Sequence, residues 1–174
     1  MTEQKPNFNI ALIEPEIPNN TGSIGRTCVG TACRLHLVGK LGFDISDKAV
    51  KRAGLDYWEN LDLKLHKNYQ EFMERVEDKK RVFYFSKKAS KSFFEVEYKR
   101  GDFFVFGKET VGLDESLLRE VEAQTVRIPL WGPIRSLNLS NAVSIVVYEA
   151  MRQLSHGGTG LFDESRKDTH TKHS

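Results

Sequence analysis

The residues of this chain best suited to chemistry lie in three polar stretches, each following an apolar run. Glu14 to Arg26 (EPEIPNNTGSIGR) offers the amide of Asn20 and the cation of Arg26, and Phe106 to Ser116 (FGKETVGLDES) offers the Glu109 carboxylate between Gly107 and Gly112. Ile128 to Asn141 (IPLWGPIRSLNLSN) adds Ser136, Asn138, Ser140 and Asn141. Amides, hydroxyls and a carboxylate on glycine-containing loops suit the holding of a small ligand. The Arg26 guanidinium, a poor base, suits phosphate binding and orientation better than proton abstraction.

Other chemistries lack their residues. The five histidines (His36, His66, His156, His170, His173) are scattered, so no metal-ligand set emerges and no metal is expected. Cys28 and Cys33 fit neither a redox CxxC pair nor a zinc pattern; they read as two small buried thiols on one helix, in a reducing compartment. The first loop lacks the G-x-G-x-x-G fingerprint, and the next strand ends in Gly39 and Lys40 where an acidic ribose ligand is wanted, which argues against a nucleotide-cofactor oxidoreductase.

A length of 174 residues fits one domain, taken as residues 1–160 with a polar, disordered tail at 161–174. The net charge of +2 is far from that of an overtly basic nucleic-acid binder. Clusters at Lys48/Lys51/Arg52, Lys79/Lys80/Arg81, Lys87/Lys88/Lys91 and Lys99/Arg100 could meet phosphates, although each alone reads as solvated surface. Neither a signal pattern nor a bilayer-spanning apolar run is present, so a soluble, cytoplasmic protein is expected.

The elements that position the loops follow from pattern. Strands are expected at Phe8 to Ile13, Arg34 to Gly39, Leu61 to Leu65, Arg81 to Phe85, Asp102 to Phe106 and Thr125 to Ile128. Helices are expected from a cap at Asn20 or Thr21, from Ser46 or Asp47 to Lys51, from Asn68 to about Glu77, and from Asp114 to about Val121. The segment 86–101 reads as loop with an extended piece. The longest helical pattern runs to Leu154, with Ser140 or Asn141 as possible caps. Strands alternating with helices predict an α/β domain, its mostly parallel sheet flanked by helices.

Three motifs in order, NTGSIGRT, FGKETVGL and IP followed six residues later by SLNLSNAVSIVVYEA, resemble those of the SPOUT methyltransferases of the SpoU branch. EPEIPNNTGSIGRTC and KRAGLDYW are similar to the small tRNA (cytidine/uridine(34)-2'-O)-methyltransferases. This resemblance covers nearly all of residues 8–154. It implies a C-terminal deep trefoil knot, S-adenosylmethionine bound in the knot loops, and a homodimer with active sites near its interface. By position it assigns cofactor contact to Phe85, Gly107, Ile128, Ser136 and Leu137, and a central role to Arg26. Phe85, Ile128, Leu130 and Leu137 would give adenine its apolar faces, while Gly107 and Gly112 are also ordinary turn glycines. Asn20, Glu109 and Asn138 read as loop-organising or substrate-touching.

Within the last helix Asn141, Ser144, Tyr148 and Arg152 form one polar stripe on an otherwise apolar cylinder. Such a helix is either a dimer helix, with Tyr148 touching RNA or cofactor as a second catalytic residue, or a core helix of a monomer. Trp131 could stack on a base or seal the interface. The expected activity is methylation of a tRNA ribose 2'-hydroxyl, at wobble position 34 and through the anticodon stem-loop. Another RNA site, or a noncatalytic RNA-binding relative, is the alternative.

Overall fold

Six short apolar runs become six strands of one parallel sheet, in the order β3-β2-β1-β5-β4-β6. The computed structural model describes residues 5–46 and 55–156. The strands are β1 (Asn9–Ile13), β2 (Arg34–Val38), β3 (Leu63–His66), β4 (Val82–Phe85), β5 (Phe103–Phe106) and β6 (Thr125–Val126). The helices are α1 (Pro18–Thr31), α2 (Tyr69–Glu74), α3 (Glu115–Glu120) and α4 (Leu139–His156). The helix expected near Asp47 and the polar tail lie outside the described residues.

Side chains alternate across each strand, so the sheet feeds two cores. Ile10, Leu12, Leu35, Leu37, Phe83, Phe85, Phe104 and Phe106 face α1 and α4, where Ile24, Cys28, Val143, Val146, Val147 and Ala150 are buried. Ala11, Val38, Val82, Tyr84 and Val105 face the other way, against Phe72 of α2 and Leu117 and Leu118 of α3. Each fully buried large side chain contributes about 1.5–3 kcal/mol. No described helix is long and apolar enough to cross a membrane.

Several boundaries differ from the sequence reading, for identifiable reasons. Helix α1 starts at Pro18, with Ile17 at its N-cap, because proline suits the first helical position; Asn20 and Thr21 are inside it and do not cap it. In α4 the cap is Asn138, whose Oδ1 accepts from the Ser140 and Asn141 N–H groups, rather than either of those two residues. Helix α2 stops at Glu74, short of Glu77, and Ile128 leaves the sheet because β6 pairs over two residues only. Cys33 lies past the end of α1, so the two buried thiols do not share a helix. Segment 86–101 holds a 3₁₀ turn at Phe93–Glu95, capped reciprocally by Ser92 and Glu95, and a one-residue bridge from Ser92 to Arg127.

Two polar networks are sealed into the sheet. Arg81, grouped by sequence with surface lysines, instead forks onto Asp102 at 2.7 and 2.5 Å, and the Lys99 N–H also donates to that carboxylate. Burial of Asp102 pushes its pKa up, and Arg81 and the Lys99 N–H oppose the rise. On β2 and β3, His36 Nδ1 and His66 Nε2 are 2.9 Å apart. The Asn9 amide nitrogen donates to the Gly101 carbonyl, which turns its oxygen to accept from His36 Nε2 at 3.1 Å. With His36 neutral, its Nδ1 accepts a hydrogen bond from the His66 Nε2–H.

Burial, reinforced by His66 and by Arg34, Lys64 and Arg75, lowers the His36 pKa to about 3, and burial lowers that of His66. The unfolded chain binds a proton at His36 near pH 6.5 while the folded chain does not, so this stability is present above that pH and is lost as pH falls toward about 3. We predict that His36 alone removes about 2 kcal/mol of unfolding free energy between pH 7 and pH 5. Urea titrations at the two pH values check this; equal stabilities would mean that the ring titrates alike in the folded and unfolded chains.

Candidate active site and cofactor cleft

The three polar loops converge beyond the carboxyl ends of β1, β4, β5 and β6, where open parallel sheets bind ligands. Glu109 joins them. Its carboxylate accepts from the Glu16 N–H (2.8 Å), the Ile17 N–H (3.0 Å) and the Asn20 amide (3.3 Å). Burial opposes charge on Glu109, but those donors outweigh it and hold the carboxyl below its usual pKa. Asn20 Oδ1 accepts from the Asn138 amide at 3.0 Å, so one chain of side chains, Glu109–Asn20–Asn138, ties all three loops. Glu16 answers in reverse, accepting from the Thr110 N–H and hydroxyl at 3.3 and 2.8 Å.

These loops enclose a cleft of about 450 Å³, within the range of small-molecule sites. Phe85, Gly107, Ile128, Ser136 and Leu137 lie on its wall, with Asn20, Glu109, Asn138 and Leu130. Phe85, Ile128, Leu130 and Leu137 present apolar faces, and Ser136, Asn138 and Glu109 present polar groups, which fits a cofactor with a flat base and a charged, hydrogen-bonding tail. A Cβ on Gly107 would meet the Gly112 carbonyl carbon at 2.1 Å and the Leu113 nitrogen at 2.2 Å. The cause is a tight loop in which Lys108 and Gly112 exchange backbone hydrogen bonds, Gly112 having φ of 73°. Turn geometry therefore accounts for both glycines, and the same turn shapes the cleft wall.

Two residues expected at the site do not line this cleft. Arg26 is on α1, 72% exposed, with its guanidinium 4.7 Å from the Tyr57 ring centroid and 3.9 Å from Asp56. Tyr148 points outward from α4 and is 62% exposed. The polar stripe divides: Ser144 meets Thr27 of α1 at 3.1 Å and Arg152 pairs with Glu149, while Asn141 and Tyr148 face solvent. Sequence reasoning missed Glu16 and Thr110, whose pairing spans 94 residues, and Tyr57, whose hydroxyl donates to the Gly22 carbonyl. Gly22 and Gly25 admit Tyr57 and Trp58: a Cβ on Gly25 would lie 3.2 Å from the Trp58 ring. Among the described residues no cluster of His, Cys, Asp or Glu could hold a metal ion.

An open parallel sheet with tied loops around a cleft at its carboxyl edge defines an α/β ligand-binding enzyme fold. A model of the SpoU rRNA Methylase family matches residues 7–148, and the chain belongs to that family. A tRNA (cytidine(34)-2'-O)-methyltransferase of Escherichia coli K12 is 47% identical over 157 residues, which cover 90% of this chain and 99% of the relative. A solved structure described as giving insight into 2-OH methylation of C/U34 on tRNA is 43% identical, with a TM-score of 0.79 over 87% of this chain and 94% of that one. An AdoMet-bound rRNA methyltransferase from Sinorhizobium meliloti is 27% identical, with a TM-score of 0.73 over 87% of this chain and 58% of that one.

Gly107 and Gly132 make a matched pair for testing the cleft. A Cβ on exposed Gly132 meets nothing within 4 Å. We expect Gly132→Ala to stay within about 0.5 kcal/mol of the parent. Gly107→Ala should cost about 3 kcal/mol or more, through backbone displacement, and abolish binding in the cleft. Denaturant titration and calorimetry with S-adenosylhomocysteine measure both; a Gly107→Ala protein with parental stability would show that the turn relaxes freely.

Proposed function

We propose that this chain is a tRNA methyltransferase that moves a methyl group from S-adenosylmethionine to the ribose 2'-hydroxyl of nucleotide 34, a cytidine or uridine. The observation that carries this reading is the cleft walled by all three motif loops and locked by the Glu109–Asn20–Asn138 chain. The wobble-position relative, which matches over nearly the full length of both chains, supports the choice of substrate. Bound in the cleft against Phe85, Ile128, Leu130 and Leu137, S-adenosylmethionine supplies an electrophilic methyl carbon.

The chain's own residues supply positioning, which can account for much of such a rate. A guanidinium is a donor-only fork, so the role of Arg26 is to bind a substrate phosphate and fix the sugar, not to take the hydroxyl proton. Its exposed position beside Tyr57 leaves that cation facing solvent, where RNA arrives. Ser136 and Asn138 hold the third loop at the cleft mouth, and the Asn138 side chain also starts α4.

Our reading includes two features of assembly. A second copy covers the outward side of the 131–148 region, which leaves Trp131 (87% exposed), Ile134 (57%), Ile145 (40%) and Tyr148 in water. Burying such a set on a twofold axis would bring Tyr148, and Arg26 of the facing copy, to the neighbouring cleft. We also propose that the chain path is a trefoil knot, as the resemblance of the three motif loops implies. The dimer surface would then grip the anticodon stem-loop.

Tritium transfer from labelled S-adenosylmethionine to tRNA from a strain lacking the enzyme, with mapping of the modified nucleotide, tests the activity. Label on ribosomal RNA or at another tRNA position would replace the substrate, and absence of label with RNA binding retained would indicate a noncatalytic relative. Arg26→Ala should lower transfer on the order of a hundredfold or more with S-adenosylmethionine affinity unchanged; parental turnover would remove Arg26 from the mechanism. Ile145→Glu should convert a dimer to monomers in sedimentation and lower transfer in parallel, whereas a parental sedimentation profile would put the interface elsewhere.

A further inference from the structure

A second cleft, of about 680 Å³, lies against the same first turns of α1 that bound the cofactor cleft. Asn20 lines the first cleft and Thr21 the second, so adjacent residues on one helix turn serve different clefts. Phe43, Ile45, Leu55 and Trp58, all half-buried, form apolar walls of the second cleft. Arg26 lines it with its guanidinium laid on the Tyr57 ring, which is itself pinned by the hydroxyl bond to Gly22. The Asp56 carboxylate, 3.9 Å away, is too distant for a hydrogen bond to the Arg26 fork.

Thr21 supplies the independent observation. It is 1% exposed, and its hydroxyl has no hydrogen-bond partner among the described residues. A helical threonine ordinarily donates to the carbonyl four residues back. Here that carbonyl, of Ile17, already accepts the N–H groups of Asn20 and Thr21 at 3.1 and 3.3 Å. An unmet buried hydroxyl on the wall of an aromatic, cationic cleft calls for a polar group from outside the chain.

From this geometry we infer that the second cleft receives one unpaired nucleotide of the RNA substrate. The base lies against the Phe43 and Trp58 walls and the outer face of the Arg26–Tyr57 stack, its edge or sugar meets the Thr21 hydroxyl, and its phosphate meets the Arg26 fork. Flat apolar walls, a stacked guanidinium and one buried hydroxyl are the components of single-stranded RNA recognition. The inference rests on the RNA-methyltransferase reading above, and it assigns Arg26 the role of joining substrate capture to the turn that also bounds the cofactor cleft.

Thr21→Val and Phe43→Ala, made in the full chain, test it. Affinity for a fluorescent anticodon stem-loop RNA is measured with S-adenosylhomocysteine present, alongside melting temperature, S-adenosylhomocysteine affinity and steady-state transfer. Thr21→Val should melt at or above the parental temperature, because it removes an unmet polar group, yet bind RNA about tenfold more weakly and raise KM for tRNA. Phe43→Ala should weaken RNA binding to a similar degree with cofactor affinity unchanged. Parental RNA affinity in both variants, or a loss confined to dimer affinity in sedimentation, would overturn the inference. A parent protein that methylates no RNA would instead overturn the activity itself, so the two failures are distinguishable.

Discussion

The carboxylate of Glu109 is the constraint on which the rest of the site depends. It has to stay ionised in a partly buried position, and it does so because two backbone N–H groups and an amide point at it from the α1 entry. Hydrogen bonds to a charged acceptor contribute about 1.5–3 kcal/mol each. By contrast, the exposed pairs nearby, Lys108 with Glu14 and Lys88 with Glu115, are screened by water and decide little. The carboxylate therefore sets the loop register, and Asn20 passes that register on to Asn138 and so to the start of α4.

Around this tie, the fold economises on backbone volume. Gly107 lets the second loop close on itself, and Gly25 lets the Trp58 ring rest on α1. The two clefts are consequently separated by a single helical turn, with Asn20 and Thr21 belonging to different walls. Arg26, one and a half turns further along α1, sits at the second cleft and not the first. In the proposed reading, substrate and cofactor are divided between neighbouring surfaces of one helix.

Much of the fold was legible because parallel strands covered on both sides read as unbroken apolar runs; RVFYF and DFFVF stood out for that reason. Their ends were less legible, since β6 stops where its partner does and not where its apolar residues do. The helix caps were misassigned in an instructive way: Asn20 has the side chain of a cap but spends it on Glu109 and Asn138. Motif resemblance pointed to Phe85, Gly107, Ile128, Ser136 and Leu137 as cofactor contacts, and the structure brings the five to the wall of one cleft. The Arg26–Tyr57 stack and the unmet Thr21 hydroxyl were not legible, because each depends on how a side chain is oriented in space.

The tie around Glu109 also bears on the order in which the molecule assembles. Its hydrogen bonds join residues 89 to 93 positions apart, and the Asn138–Asn20 bond spans 118. Contacts of such separation close long loops, as does the β1–β5 pairing, whose partners are 94 residues apart, so the tie and the sheet centre carry similar loop-closure costs. During synthesis β1, α1 and β2 can pair long before residue 138 exists, but the cleft cannot. A cofactor that recognises only the closed loops would act as a thermodynamic latch on the finished chain.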